Sequence, residues 1–253
     1  MPQTRFEGML KIQVADSPTQ LGALAANYVA TLLKTILLSK GEARIILATG
    51  TSQFDFLKQL QKQGIEWDKI TVFHLDEYVG LSSEHPASFR NYLKTRILDA
   101  VSPKKVYLLK ADASSIDQEI EAYSALLNEK PIDIACVGIG ENGHLAFNDP
   151  GVADFNDPKT VKRVVLDYEC RQQQFNEGWF PSLETVPKEA LTLTIPAIMS
   201  ANFISCVVPE LRKAKAVYKA LKEAITDQNP ASILRNHQNT VVFLDQESAS
   251  FLK

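Results

Sequence analysis

The chain reads as an α/β protein with one mostly parallel, doubly wound sheet and helices on both faces. Three observations predict this. Short apolar runs alternate with amphipathic stretches of helical length, the pattern of successive βαβ units. Turns rich in small residues, Thr49–Ser52 and Gly138–Gly143, directly follow two of those runs, at the end of a strand where an α/β sheet presents its ligands. No Gly/Ser linker, internal repeat or change of composition divides residues 1–253, so a single Rossmann-like domain is expected.

Each element has its own local reason. Leu10 to Val14 reads as a short strand. Ser17-Pro18 supplies an N-cap and an N1 proline, and Leu21, Leu24, Ala25, Tyr28, Val29, Leu32 and Leu33 recur at helical spacing up to Gly41. Arg44 to Ala48 is a strand entering Thr49–Ser52, and helical spacing resumes through Phe54, Leu57 and Leu60. Ile70 to Leu75 is strand again, ending at Asp76-Glu77-Tyr78. Pro86 to Ala100 reads as an amphipathic helix, Lys105 to Leu109 as a short strand, and Ile116 to Leu127 as a helix. Ile132 to Val137 is a continuous apolar run, as expected of a fully buried strand. A loop rich in Pro, Gly and Asp, Asp149 to Pro158, precedes strands at Val161 to Leu166, Leu191 to Ile195 and Phe203 to Val208. Pro209 to Ile225 reads as helix, Ser232 to Leu234 as a helical turn, and Thr240 to Leu244 as the last strand.

Composition narrows the function classes. A formal charge of −3 gives no electrostatic reason to expect a nucleic-acid partner, whose binders carry a basic face. No apolar stretch is read as long enough to span a bilayer, and Met1 to Leu10 lacks the apolar core of a signal peptide, so no membrane partner is expected. Cys136, Cys170 and Cys206 are odd in number and lack metal-ligand spacing. Cys136 and Cys206 lie in strand-like runs, which favours buried reduced thiols and a cytoplasmic protein.

Four segments carry candidate chemistry. Thr49, Gly50, Thr51 and Ser52 stand between a buried strand and a helix start, where exposed N–H groups and hydroxyls suit a phosphate, although a plain capping turn fits the same residues. Asp76 and Glu77 end a strand beside the expected ligand crevice. A carboxylate partly desolvated there can serve as a general base, while two solvated turn acids are the bland reading. Gly138-Ile-Gly-Glu-Asn-Gly-His-Leu-Ala-Phe-Asn-Asp-Pro150 combines three glycines with His144, Asn142 and Asp149. Its glycine spacing matches a dinucleotide fingerprint, but Pro150 breaks the helix that such a turn should open. A nest of N–H groups that includes Gly143, set around a substrate, fits better. Lys213, with Arg212 and Lys215 beside it, puts cations in the first turns of a helix. That is unfavourable unless an anion is near, and Glu210 could offset it without any ligand. His74, His85 and His237 show no metal-ligand spacing and are read as structural or surface residues, with His85 the exception to watch because it follows Asp76.

Taken in order, these segments resemble the glucosamine-6-phosphate deaminase (isomerase) family, which shares its fold with the 6-phosphogluconolactonases. The resemblance runs through Leu47-Ala-Thr-Gly-Thr-Ser52, Leu75-Asp-Glu-Tyr-Val-Gly-Leu81 with Glu84-His-Pro86, Gly138 to Asn148, Val186-Pro-Lys-Glu-Ala-Leu-Thr192 and Lys213-Ala-Lys-Ala216. Lactonases of this fold carry an arginine where Tyr78 stands. The resemblance implies that Asp76 is the base moving a proton between C2 and C1 of an open-chain amino sugar phosphate. It implies that His144, with Asn142 two residues before it, opens the pyranose ring. Thr49–Ser52 and Lys213 would hold the phosphate. No metal or organic cofactor is implied, and the partner is a small sugar phosphate; assembly into a homo-oligomer is left open.

Two departures from the family pattern stand out. Asn148-Asp149-Pro150 replaces the usual Asn-Glu-Pro, and Asp149 is one methylene shorter than the glutamate that works with the histidine. The family's phosphate-gripping arginine precedes a Phe-Phe pair, whereas here the segment reads Cys170-Arg-Gln-Gln-Gln-Phe175, with Arg171 as the candidate replacement. The alternatives are a deaminase for another hexosamine phosphate such as galactosamine 6-phosphate, a lactone hydrolase, and a non-catalytic sugar-phosphate sensor. The Gly151–Lys159 loop and the segment around Trp179 are candidate lids.

Overall fold

The structure, a computed structural model, describes residues 3–7 and 10–252; Met1, Pro2, Gly8 and Met9, within the stretch read for a signal peptide, and Lys253 lie outside them. The first half runs β1 (Gln3–Glu7), β2 (Leu10–Ala15), α1 (Pro18–Lys40), β3 (Ala43–Leu47), α2 (Phe54–Leu60), β4 (Ile70–His74), β5 (Asp76–Tyr78), α3 (Phe89–Leu93), β6 (Lys105–Tyr107) and α4 (Ile116–Asn128). The second half adds β7 (Ile134–Val137), β8 (Val161–Val165), α5 (Tyr168–Asn176), β9 (Glu189–Leu193), α6 (Ile195–Met199), β10 (Phe203–Val208), α7 (Ala214–Lys222) and β11 (Thr240–Asp245).

Eight strands form the main sheet in the order β1-β2-β11-β10-β7-β3-β4-β6. Every neighbouring pair is parallel except β1 with β2. β3, β7 and β11 are buried along their whole length, as their unbroken apolar runs require when helices cover both faces. α1, α2 and α3 pack on one face, and α4, α6 and α7 on the other. α1 starts where Ser17 Oγ accepts the Gln20 N–H at 3.2 Å and stops where Gly41, at φ 74°, turns its N–H back to the Leu37 carbonyl. By length and composition α1 could cross a bilayer, which corrects the expectation that no stretch is long enough. Here it is a core helix, with Leu21, Ala25, Val29 and Leu33 buried.

Three expectations change. Val161 to Leu166 and Leu191 to Ile195 do not join the parallel sheet. β8 and β9 make a separate antiparallel sheet with β5, which continues from β4 and pairs Asp76 with Thr192. One face of this small sheet, Val161, Leu191 and Leu193, still packs into the main core. The helix expected from Pro86 begins instead at Phe89, because Ser88 is its cap, and it closes in a π-helical turn, Lys94–Leu98. The helix expected from Pro209 begins at Ala214. Glu210 takes φ 81°, and a 3-10 turn, Leu211–Lys213, intervenes. Three elements are not anticipated from the sequence: the edge strand β1, the short helix α6, and the polar helix α5, whose sequence YECRQQQFN has no apolar stripe to detect.

Candidate active site

The carboxyl ends of β3, β4, β7 and β10 all open into one cleft of about 650 Å³ of unfilled space, partly open to solvent. Its walls are the turn Ala48–Ser52 after β3, Leu75 and Asp76 after β4, the Gly138–Phe147 loop after β7, and Arg212 and Lys213 after β10. Gln173, Gln174 and Glu177 of α5 and its end close the rim. Strand order reverses around β3 and β7, so the loops diverge there and leave the crevice that a doubly wound sheet offers to ligands.

At one end stands Asp76. Only 7% of the residue is exposed, and its carboxylate makes no hydrogen bond or ion pair among the described residues. Burial, then the neighbouring Glu77 charge, push its pKa well above the ordinary carboxylate range. A desolvated, unpaired carboxylate facing a cleft is costly to keep and chemically primed as a base.

His144 lines the same cleft. Its Nδ1 lies 2.9 Å from Asp149 Oδ1, and Asn142 Nδ2 donates to that same oxygen at 2.8 Å. Burial alone would raise the Asp149 carboxyl; the His144 imidazole, with hydrogen bonds from His144, Asn142 and Cys170, holds it below the usual range. An ionised carboxylate only accepts, so Nδ1 carries the ring proton and Nε2 is the nitrogen left for a substrate. Asn142 Oδ1 accepts the His144 N–H at 3.1 Å, completing a closed ring of contacts that fits the short aspartate. The loop is tied down further by Asn148 Nδ2, which donates to the carbonyls of Leu145 and Leu193, and by the Phe147 N–H, which reaches Thr192 Oγ1. Gly140 permits the ring's position: a Cβ there would lie 2.2 Å from His144 Cε1. Ala146 and Glu210 are the two non-glycine residues at positive φ among the described residues, and both flank the cleft.

The opposite end suits an anion. Gly50 sits at φ 92° and hands its carbonyl to the Tyr92 hydroxyl at 2.8 Å, which fixes the turn bearing Thr49, Thr51 and Ser52. Lys213 is buried and makes no ion pair among the described residues. Desolvation, then the adjacent Arg212 charge, lower its pKa. A buried cation without a carboxylate partner gains most from an incoming anion. Arg212 lines the cleft too, and its Nη2 donates to Thr51 Oγ1 at 2.9 Å.

Asp76, His144, Thr49, Gly50, Thr51, Ser52 and Lys213 thus meet in one cleft, while Asn142 and Asp149 stand behind His144 as its support. Three expected substrate contacts, Glu77, Arg171 and Gly143, are corrected. Glu77 is fully buried and faces away, accepting the N–H groups of Tyr78, Phe89 and Arg90, the Ser88 hydroxyl and the Arg90 guanidinium; it folds α3 onto β5. Arg171 is occupied elsewhere, its Nη2 on the Leu183 carbonyl at 2.7 Å and its Nε on that of Val186, so it braces α5 and does not line the cleft. Gly143, at φ 92°, serves the turn and not the cleft wall. A Cβ there would press within 2.9 Å of Asn229 Oδ1. The sequence offers Arg212 only as a cation beside Lys213, with an anion or Glu210 to offset it, and gives no sign of Glu177 or of Gln173 and Gln174. Cations opposing the α7 dipole were the one available signal for Arg212. No group of His, Cys, Asp and Glu able to hold a metal occurs among the described residues.

The family model for glucosamine-6-phosphate isomerases and 6-phosphogluconolactonases matches residues 16–243. Glucosamine-6-phosphate deaminase of Exiguobacterium sibiricum is 37% identical over 228 residues, 90% of this chain and 88% of the relative. The enzyme of the same name from Streptococcus pyogenes serotype M18 is 36% identical over 88% of this chain and 92% of its own. A solved structure described as a monomeric glucosamine-6-phosphate deaminase superposes with a TM-score of 0.87 at 32% identity, covering 94% of this chain and 98% of that one. The 6-phosphogluconolactonase of Trypanosoma brucei gives 0.78 at 20% identity over 96% and 98%, a likeness of fold alone. The family-model match over residues 16–243, together with deaminase relatives of 36–37% identity over most of both chains, shows that the chain belongs to the glucosamine-6-phosphate isomerase/6-phosphogluconolactonase family.

Proposed function

We propose that this chain is an isomerising deaminase of a 2-amino-2-deoxyhexose 6-phosphate, with glucosamine 6-phosphate as the first substrate to test. One observation carries the reading: an unpaired carboxylate at Asp76 and a carboxylate-oriented imidazole at His144 share a cleft whose far end holds the buried cation Lys213. The names of the relatives above 30% identity support the same chemistry.

In this mechanism the Thr49–Ser52 turn, Arg212 and Lys213 bind the phosphate and fix the sugar's position. His144 Nε2, oriented through Nδ1 by Asp149, moves a proton to the ring oxygen as the O1 hydroxyl loses its own, and the pyranose opens to the aldehyde. Asp76 then removes the proton from C2 while O1 gains one, giving an enolamine. Return of a proton to C1 yields the imine at C2. Water adds to that carbon, ammonia leaves, and the ketose 6-phosphate remains. The partner in this reading is a free sugar phosphate of the cytoplasm; the formal charge of −3 speaks against a nucleic acid.

Incubation with glucosamine 6-phosphate should release ammonia and fructose 6-phosphate in equal amounts, read by coupled assays. Galactosamine 6-phosphate tests the C4 configuration in parallel. Turnover of 6-phosphogluconolactone without ammonia release from any hexosamine phosphate would reverse the assignment. Tyr78 argues against that outcome, because it is buried among Phe89, Phe147 and Phe180, where lactonases of this fold carry an arginine.

A further inference from the structure

Glu177 is an acid where an anion is expected to bind. It lines the cleft at the phosphate end, and its side chain is only 8% exposed. Its Oε1 accepts Arg212 Nη1 at 2.8 Å and Gln173 Nε2 at 3.1 Å, and its Oε2 accepts the Trp179 indole N–H at 3.3 Å. Arg212 also reaches Glu210 Oε2 at 2.6 Å and Glu141 Oε1 at 3.0 Å, but those two carboxylates are 40% exposed and water screens them. Glu177 alone of the three combines burial with a place in the cleft wall. Left there beside an incoming phosphate, it would repel the ligand in a medium where charges are weakly screened.

We infer that Glu177 is a built-in competitor for Arg212: the substrate's phosphoryl group displaces its carboxylate from the guanidinium, and the Glu177–Phe180 segment shifts when the cleft fills. The inference rests on the phosphate-end reading above. Arg212 is already positioned by Thr51 Oγ1 at 2.9 Å, so it can exchange one anion for another with little movement. Gln173 and Trp179, both bonded to Glu177, then carry the change into α5 and the segment after it. The exchange makes the affinity for phosphate a difference between two pairings of the same cation, and it links occupancy to the rim of the cleft.

The test uses inorganic phosphate as probe, titrated calorimetrically and by tryptophan emission, alongside KM for glucosamine 6-phosphate. Glu177→Gln keeps the shape and the hydrogen-bonding oxygen but removes the charge. It should tighten phosphate and lower KM by on the order of threefold to tenfold. In the wild type, phosphate should change Trp179 emission, and in Glu177→Gln that change should largely vanish. Glu177→Ala should tighten phosphate as well, and thermal melts check that each variant is folded. Unchanged or weaker phosphate binding in both folded variants would overturn the proposal and leave Glu177 as a simple brace for Arg212. Arg212→Ala and Lys213→Ala separate the two readings. If both bind phosphate like the wild type, the phosphate end itself is misassigned. If both weaken it while Glu177→Gln fails to tighten it, only the competitor is lost.

Discussion

Burial raises the pKa of the Asp76 carboxyl well above the ordinary range, and the Glu77 charge adds to the shift. As a base, Asp76 must be ionised, so kcat/KM should fall as pH drops through that raised pKa, with an acid limb above the normal carboxylate range. A limb near pH 4 would rule out Asp76 as the titrating base. The same shift has a consequence for stability. Folding raises this pKa, so the group's favourable contribution is complete below the unfolded carboxylate pKa and is lost as pH rises through the folded one. Asp76→Asn should therefore lose about a thousandfold or more in turnover, yet melt higher than the wild type at neutral pH, with the gain shrinking toward pH 4. Equal melting shifts at both pH values would mean that no raised pKa was being relieved. At this scale the sequence was informative for Asp76, His144 and Lys213. It misled at Glu77 and Arg171, because neither residue type nor spacing tells whether a charged side chain turns toward a cleft or onto a neighbouring backbone.

Among the elements, α1 packs against α2, the helix that follows the Thr49–Ser52 turn. Gly22 makes that contact possible: a Cβ there would lie 2.6 Å from the Asp55 carbonyl carbon, which is backbone and cannot rotate away. Gly22→Ala should push the two helices apart and cost about 1–3 kcal/mol, lowering the melting temperature by roughly 2–10 °C. An unchanged melt would show that the helices slide apart freely. Helix and strand existence was largely legible, since α1, β3, β7 and β11 have strong periodicity or unbroken apolar runs. The boundaries before α3 and α7 were not. There Ser88 capping and the left-handed Glu210 decide where the helix starts. The Glu210 turn leads directly into Arg212 and Lys213, both of which line the cleft.

The whole molecule gathers loops from four distant parts of the chain at the carboxyl ends of the sheet's strands. Ligand binding to such an assembled site stabilises the native state only, by about 2.7 kcal/mol when the ligand stands at a hundredfold excess over Kd. An open-chain hexitol 6-phosphate, which lacks the reacting carbonyl, should raise the melting temperature by roughly 5–10 °C under those conditions. The unphosphorylated hexitol at the same concentration should not. Equal shifts from both compounds would place the binding energy outside the phosphate end.

Local order determined the α/β class, the alternation of strands and helices, and the chemical character of the turns at Thr49–Ser52 and Gly138–His144, because apolar periodicity, capping and glycine are properties of neighbouring residues. The tertiary structure alone decided that β5, β8 and β9 form a second sheet, that Arg212 and not Arg171 reaches the cleft, and that Glu177 stands against it. Those outcomes depend on which distant segments meet. A chain reads out its local preferences directly, but the direction of a charged side chain is set by neighbours that arrive only on folding.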